Sequence, residues 1–131
     1  MSKNKTPMVL WQESPEQHDY PAATSYLSLL ASPDVVTATV AAFDKAESAH
    51  FKAKDILRAS RLDLLPTDDP HVASDLRKVA EGKALSPVLL VRGDAAQGHD
   101  AIIADGYHRV CASYHLGENT DIPCRIVDLP R

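Results

Sequence analysis

A chain of 131 residues with 44% apolar and only 5% aromatic residues suits one domain with an aliphatic, alanine-rich core. Its formal net charge of -4, with no run of Lys or Arg longer than two, excludes the basic stripe that a duplex-DNA-binding module turns toward phosphates. No apolar stretch approaches the roughly 20 residues of a membrane-spanning helix, and no signal-peptide hydrophobic segment follows the basic residues 1–5.

Residues 1–19 are polar, contain Pro7 and Pro15, and hold one large apolar side chain, Trp11. A flexible arm is expected, pinned by Trp11 on the domain or on a neighbouring subunit. Residues 20–47 then predict a helical hairpin. Ala23, Leu27 and Leu30 recur at i, i+4 and i+7 from Pro21 onward. Ser32-Pro33 stops that helix and starts another, with Ser32 as N-cap and Val36, Val40 and Phe43 as the apolar stripe. Core packing or a dimer contact is the expected use of this hairpin.

Residues 48–131 form the rest of the domain. A short strand is predicted at residues 50–53 and a short helix around Asp55-Ile56-Leu57-Arg58; residues 61–66 are apolar but aperiodic. Asp69-Pro70 starts a helix with Val72, Leu76 and Val79 on its buried face, closed by Gly82. His71, Asp75 and Lys78 share its other face. Residues 87–91 (Pro-Val-Leu-Leu-Val) are the continuous apolar run of a central strand covered on both faces. A loop with two glycines precedes a strand at residues 101–104, and a helix runs from Tyr107 to a C-terminal Gly117. Residues 122–127 make a last strand, with Pro123 placed where a missing N–H is tolerated. This order predicts a small α/β (α+β) domain whose mixed sheet is flanked by helices.

The most informative stretch is Asp105-Gly106-Tyr107-His108-Arg109, where a buried strand breaks and turns at once into a helix. A helix that begins there points unpaired N–H groups and the positive end of its dipole at the space above the strand. His108 and Arg109 in the first turn add cationic donors, which makes the turn a cradle for a phosphate or another anion. The cysteines offer less. Cys111 and Cys124 lie 13 residues apart outside any CxxC pair, so reduced thiols and a cytoplasmic location are expected. His108 and His115 share a helical face but are seven residues apart, too far for the i, i+4 chelation of a helical metal site, and no metal site is expected.

Residues 48–128 resemble the fold shared by the N-terminal domain of ParB partition proteins and by sulfiredoxin. The resemblance rests on Lys52-x-x-Asp55-Ile56-Leu57, on Gly82 preceding Ser86-Pro87-Val88-Leu89-Leu90-Val91, on Asp105-Gly106-Tyr107-His108-Arg109, and on the closing Ile122-Pro123-Cys124-Arg125-Ile126-Val127. It implies a nucleotide, ATP or CTP, with its phosphates on Gly106, His108 and Arg109, with Tyr107 lining the site and His71 and Lys78 as further contacts. It further implies hydrolysis or phosphoryl transfer with Mg²⁺, with Asp105 and His108 as catalytic candidates and Asp68 or Asp69 as alternative carboxylates.

Two departures shape that implication. Tyr107 stands where sulfiredoxin carries its cysteine, and a phenol of pKa ~10 cannot replace a thiolate nucleophile. Cys111, one turn further on, is expected to face the core. No segment of helix-turn-helix type follows the last strand, so direct sequence-specific DNA binding is not expected. The alternative is a non-catalytic ParB-like module acting through a dimer or partner interface.

Overall fold

The computed structural model describes residues 8–130; the basic start of the arm, Pro7 and Arg131 lie outside the described residues. The elements follow in the order α1 (Asp19–Leu27), α2 (Pro33–Lys45), β1 (Ser48–Lys52), α3 (Ala53–Ser60), α4 (Pro70–Ala80), β2 (Val88–Val91), a 3-10 turn (Ala95–Gln97), β3 (Ile102–Asp105), α5 (Tyr107–Leu116) and β4 (Asp121–Val127). The four strands form one mixed sheet in the order β1-β4-β2-β3. β4 pairs antiparallel with β1 and parallel with β2, while β2 and β3 are antiparallel with a register shift between Leu89 and Leu90.

All four residues of β2 are buried, as a strand covered on both faces requires. Alternation along it assigns Val88 and Leu90 to one apolar cluster and Leu89 and Val91 to another. The first cluster lies under α3, α4 and α5 with Ile56, Leu57, Val72, Val110, Ile122 and Cys124; the second joins Ala23, Leu27, Val36 and Phe43 of the hairpin to Ala104. The hairpin is therefore the second helical layer over the sheet. The result is a mixed α+β domain with helices on both faces.

Trp11 packs against the first cluster and bridges to Leu85. Gln12 N–H donates to the Leu85 carbonyl at 2.8 Å, and Leu85 N–H donates to Leu10 at 2.8 Å. Arg125 reinforces this by donating to the carbonyls of Ala46 at 2.9 Å and Glu13 at 3.2 Å. From Leu10 onward the arm is thus tied to the domain by hydrogen bonds.

Several local expectations are corrected. α1 starts at Asp19 and ends at Leu27, so Leu30 falls beyond the helix and is 52% exposed rather than on a buried stripe. Ser32 occupies the N-cap of α2 but makes no side-chain cap bond; Pro33 in the first turn, which lacks an N–H, fixes that end instead. Asp69 does cap α4, accepting from the N–H groups of His71 at 2.9 Å and Val72 at 3.1 Å. β1 starts at Ser48 and hands over directly to α3 at Ala53. Pro123 lies inside β4 rather than at its start. It pairs with His50 on one side, and the parallel ladder to β2 begins only at Cys124, so no bond to β2 is lost.

Because Phe43 is fully buried in the second cluster, Phe43→Ala is expected to lower global stability by about 3–5 kcal/mol. Urea melts followed by Trp11 fluorescence, on the opposite face of the sheet, should shift to the same lower midpoint as far-UV circular dichroism. An unchanged Trp11 midpoint would mean that the hairpin is an independent unit.

Candidate functional site

β3 ends at Asp105, Gly106 makes the turn with φ +111°, and α5 starts at Tyr107. Only glycine fits here. A Cβ would lie 2.9 Å from both Arg109 Nη2 and Val88 Cγ2, in a backbone region that L side chains rarely adopt. Gly106 also has no side chain to cap α5, so the first turn's N–H groups have no side-chain acceptor.

Arg109 folds back under this turn. Its Nη2 donates to Asp105 Oδ2 at 3.1 Å and to the Pro87 carbonyl at 3.2 Å, and its Nη1 lies 3.9 Å from Asp19 Oδ1. Asp19, 1% exposed at the start of α1, accepts from Glu16 N–H at 2.9 Å through its other oxygen. His18 Nε2 lies 3.4 Å from Asp19 Oδ1. Burial raises the Asp105 carboxyl above its ordinary range; Arg109 opposes the rise and the neighbouring Asp19 adds to it.

α4 forms the facing wall. His71, Ser74, Asp75 and Lys78 line, with Asp105, Gly106, His108 and Arg109, a polar cleft of about 190 Å³. The His71 and His108 rings stand 4.7 Å apart between centroids, tilted by 41°. Asp75 is 9% exposed, with Lys78 Nζ 3.8 Å from its Oδ1. Burial raises its carboxyl too, opposed by Lys78, Arg109, His108 and His71. A small volume with convergent titratable groups at a strand–helix turn has the makings of a site for a compact, charged ligand.

Six sequence-predicted site residues, Asp105, Gly106, His108, Arg109, His71 and Lys78, therefore meet in one cleft. Tyr107 does not. Its hydroxyl donates to the Asp63 carbonyl on the 61–69 loop, its ring packs against the first core cluster, and it touches the cleft only through the His108 ring, 5.7 Å away. One residue along a helix turns a side chain by about 100°, enough to send Tyr107 and His108 to different sides. Asp68 does not line the cleft, and Asp69 is occupied as the α4 cap. Asp75 does pair with Lys78, as expected for a charged helix face, but it is buried rather than solvated.

Sequence reasoning missed Asp19 altogether. The available signal was an Asp in the first turn of an otherwise apolar-striped helix, which ordinary capping explains equally well. Larger hollows exist, including one of about 600 Å³ beside Tyr26, Leu30, Ile102 and Leu129 that Arg92, His99 and Asp100 also line, but no helix N-terminus opens into it. Cys111 and Cys124 are free and buried, and burial pushes both thiols up, that of Cys124 to about 12. Neither is a thiolate nucleophile. Among the described residues no three His, Cys, Asp or Glu side chains converge as metal ligands.

No family model, curated protein or solved structure matches this chain.

Two measurements probe the site's construction. Gly106→Ala should cost roughly 1–3 kcal/mol from backbone strain alone, and more than Gly82→Ala, where a Cβ meets nothing within 4 Å. Asp75 and Asp105 give a linkage with a definite sign. A carboxyl whose pKa is raised on folding binds more protons in the native state, so stability falls as pH rises from the ordinary carboxyl range, ~4, through the raised value. Asp75→Asn should flatten that fall in urea melts across this window. A slope equal to that of the wild-type chain would mean that Asp75 carries no such shift.

Proposed function

We propose that this chain is a ParB/sulfiredoxin-like domain that binds a nucleotide, or another phosphate ligand, in the cleft at the start of α5. The observation that carries the reading is the convergence of His71 and Lys78 from α4 with Gly106, His108 and Arg109 at an uncapped helix N-terminus. At about 190 Å³ the cleft is smaller than a nucleotide, so the nucleoside would extend beyond it. The N–H groups of α5 supply directional donors, and Lys78 and the two imidazoles supply cationic or hydrogen-bonding partners from the rim. Asp75 and Asp105 offer the oxygen donors that suit Mg²⁺, which would neutralise charge on the phosphates.

For hydrolysis or phosphoryl transfer, a carboxylate must take a proton from the attacking hydroxyl. Asp75 and Asp105 are the candidates, because burial moves their carboxyls toward the range in which a general base operates. His108, beside them, is the second candidate for proton transfer. The buried, unpaired thiols of Cys111 and Cys124 suit a reducing, cytoplasmic setting.

A second reading rests on a different observation. Tyr26, Leu29 and Leu30, at and beyond the end of α1, are 43%, 81% and 52% exposed and fall within one five-residue stretch. An apolar cluster of this kind suits a homodimer or partner contact through the hairpin. Light scattering at high protein concentration decides it, since a monomer removes the homodimer.

The nucleotide reading has its own test. ATP, CTP or ADP with Mg²⁺ should raise Tm by mass action, with ligand at 100 times Kd stabilising the fold by about 2.7 kcal/mol. His108→Ala and Lys78→Ala should lose that shift while keeping the unliganded Tm. No shift with any of these nucleotides, or with inorganic phosphate, at millimolar concentration overturns the reading. Phosphorus NMR of the same mixtures separates a binder from a phosphoryl-transfer enzyme.

A further inference from the structure

Without a cation such as Mg²⁺ to neutralise it, a highly charged anion is not favoured by the fixed charges in and behind the cleft. Asp19, Asp75 and Asp105 stand against Arg109 and Lys78, and the best-placed cation is already engaged. The Arg109 side chain is 15% exposed and spans Asp105 and Asp19, whose own side chain is 2% exposed. Asp105 belongs to the turn itself, whereas Asp19 is brought in by the hairpin, with its second oxygen fixed by Glu16 N–H. Lys78, on the rim, is half-exposed and shares its charge with Asp75. A phosphate at the start of α5 would sit above a guanidinium whose charge two carboxylates already balance.

We propose that Asp19 is a specificity-determining residue: its buried carboxylate, delivered by the hairpin, keeps Arg109 under the turn and sets the cleft to prefer singly over doubly charged phosphate. The inference rests on the reading that the cleft binds phosphate. Asp19 touches no ligand in this account and acts through Arg109 and through its field. A unit charge at a distance on the order of 10 Å, with an effective dielectric of ~20, changes the affinity for each charge on the ligand by about tenfold.

The test compares a nucleoside 5′-monophosphate with its 3′,5′-cyclic form at pH 8. There the monoester is a dianion, its second pKa being ~6, and the cyclic diester is a monoanion. Asp19→Asn keeps the side chain's shape and an oxygen for Glu16 N–H but removes the charge. Affinities by calorimetry should rise for both ligands in this variant, and about tenfold more for the monophosphate than for the cyclic form. A purely structural role for Asp19 would not move that ratio.

An unchanged ratio, with the wild-type chain binding normally, overturns the inference and leaves phosphate binding standing. Binding of the monophosphate to the variant alone supports the inference. Failure of both chains to bind either ligand overturns the inference and the phosphate reading together. If Asp19→Asn does not fold, carbon-13 NMR of the wild-type chain decides. The Asp19 carboxyl resonance should move more on saturation with the monophosphate than with the cyclic form; an equal or absent response overturns the proposal.

Discussion

A guanidinium taken out of water must find acceptors, and the placement of Arg109 is the constraint on which the rest of this architecture depends. Its partners come from separate parts of the chain: it donates to Asp105 at the end of β3 and to the Pro87 carbonyl just before β2, and it faces the Asp19 carboxylate, 3.9 Å away at the start of α1. One side chain thereby ties the turn to the sheet and the sheet to the hairpin. The same placement accounts for Gly106, since a Cβ there would collide with Arg109 Nη2. Backbone conformation and side-chain electrostatics thus agree at a single residue, which is how a short turn becomes a fixed platform rather than a mobile loop.

What the sequence made legible was local. Pro33, Asp69-Pro70 and Gly106 announce element boundaries through backbone chemistry that needs no tertiary partner, and the structure places helix starts at or next to each. The run Val88-Leu89-Leu90-Val91 declared a strand covered on both faces because no polar position interrupts it. The Asp105–Arg109 stretch showed where polar groups gather, because a strand that turns straight into a helix leaves unpaired N–H groups at its top.

What remained hidden depends on long-range packing. Asp19 and Asp75 look like ordinary helix acids until the sheet and α5 close over them. Tyr107 turns away from its neighbours in the motif because the 61–69 loop, which has no periodic signal, offers the Asp63 carbonyl to its hydroxyl. Leu30 continues a helical spacing that the chain abandons at Leu27, so periodicity alone overran the true end of α1. In each case the deciding partner is distant in sequence and weakly patterned. The same holds for size: the hollow beside Tyr26 is larger than the cleft at the turn, yet only the cleft opens at a strand–helix turn.

The strand order has a consequence for how this chain acquires its shape during synthesis. β4 lies inside the sheet although it is the last strand made, and Ser48 of β1 finds its cross-strand neighbour, Arg125, only there. β2 likewise gains its parallel partner from β4. Until β4 has emerged from the ribosome, β1 has no neighbour in the sheet and β2 has only β3. The hairpin precedes the sheet residues it rests on, Leu89, Val91 and Ala104, so its apolar face must wait uncovered until they are translated. Such a topology folds only when β4 is available, and until then the apolar faces of β2 and of the hairpin are open to aggregation.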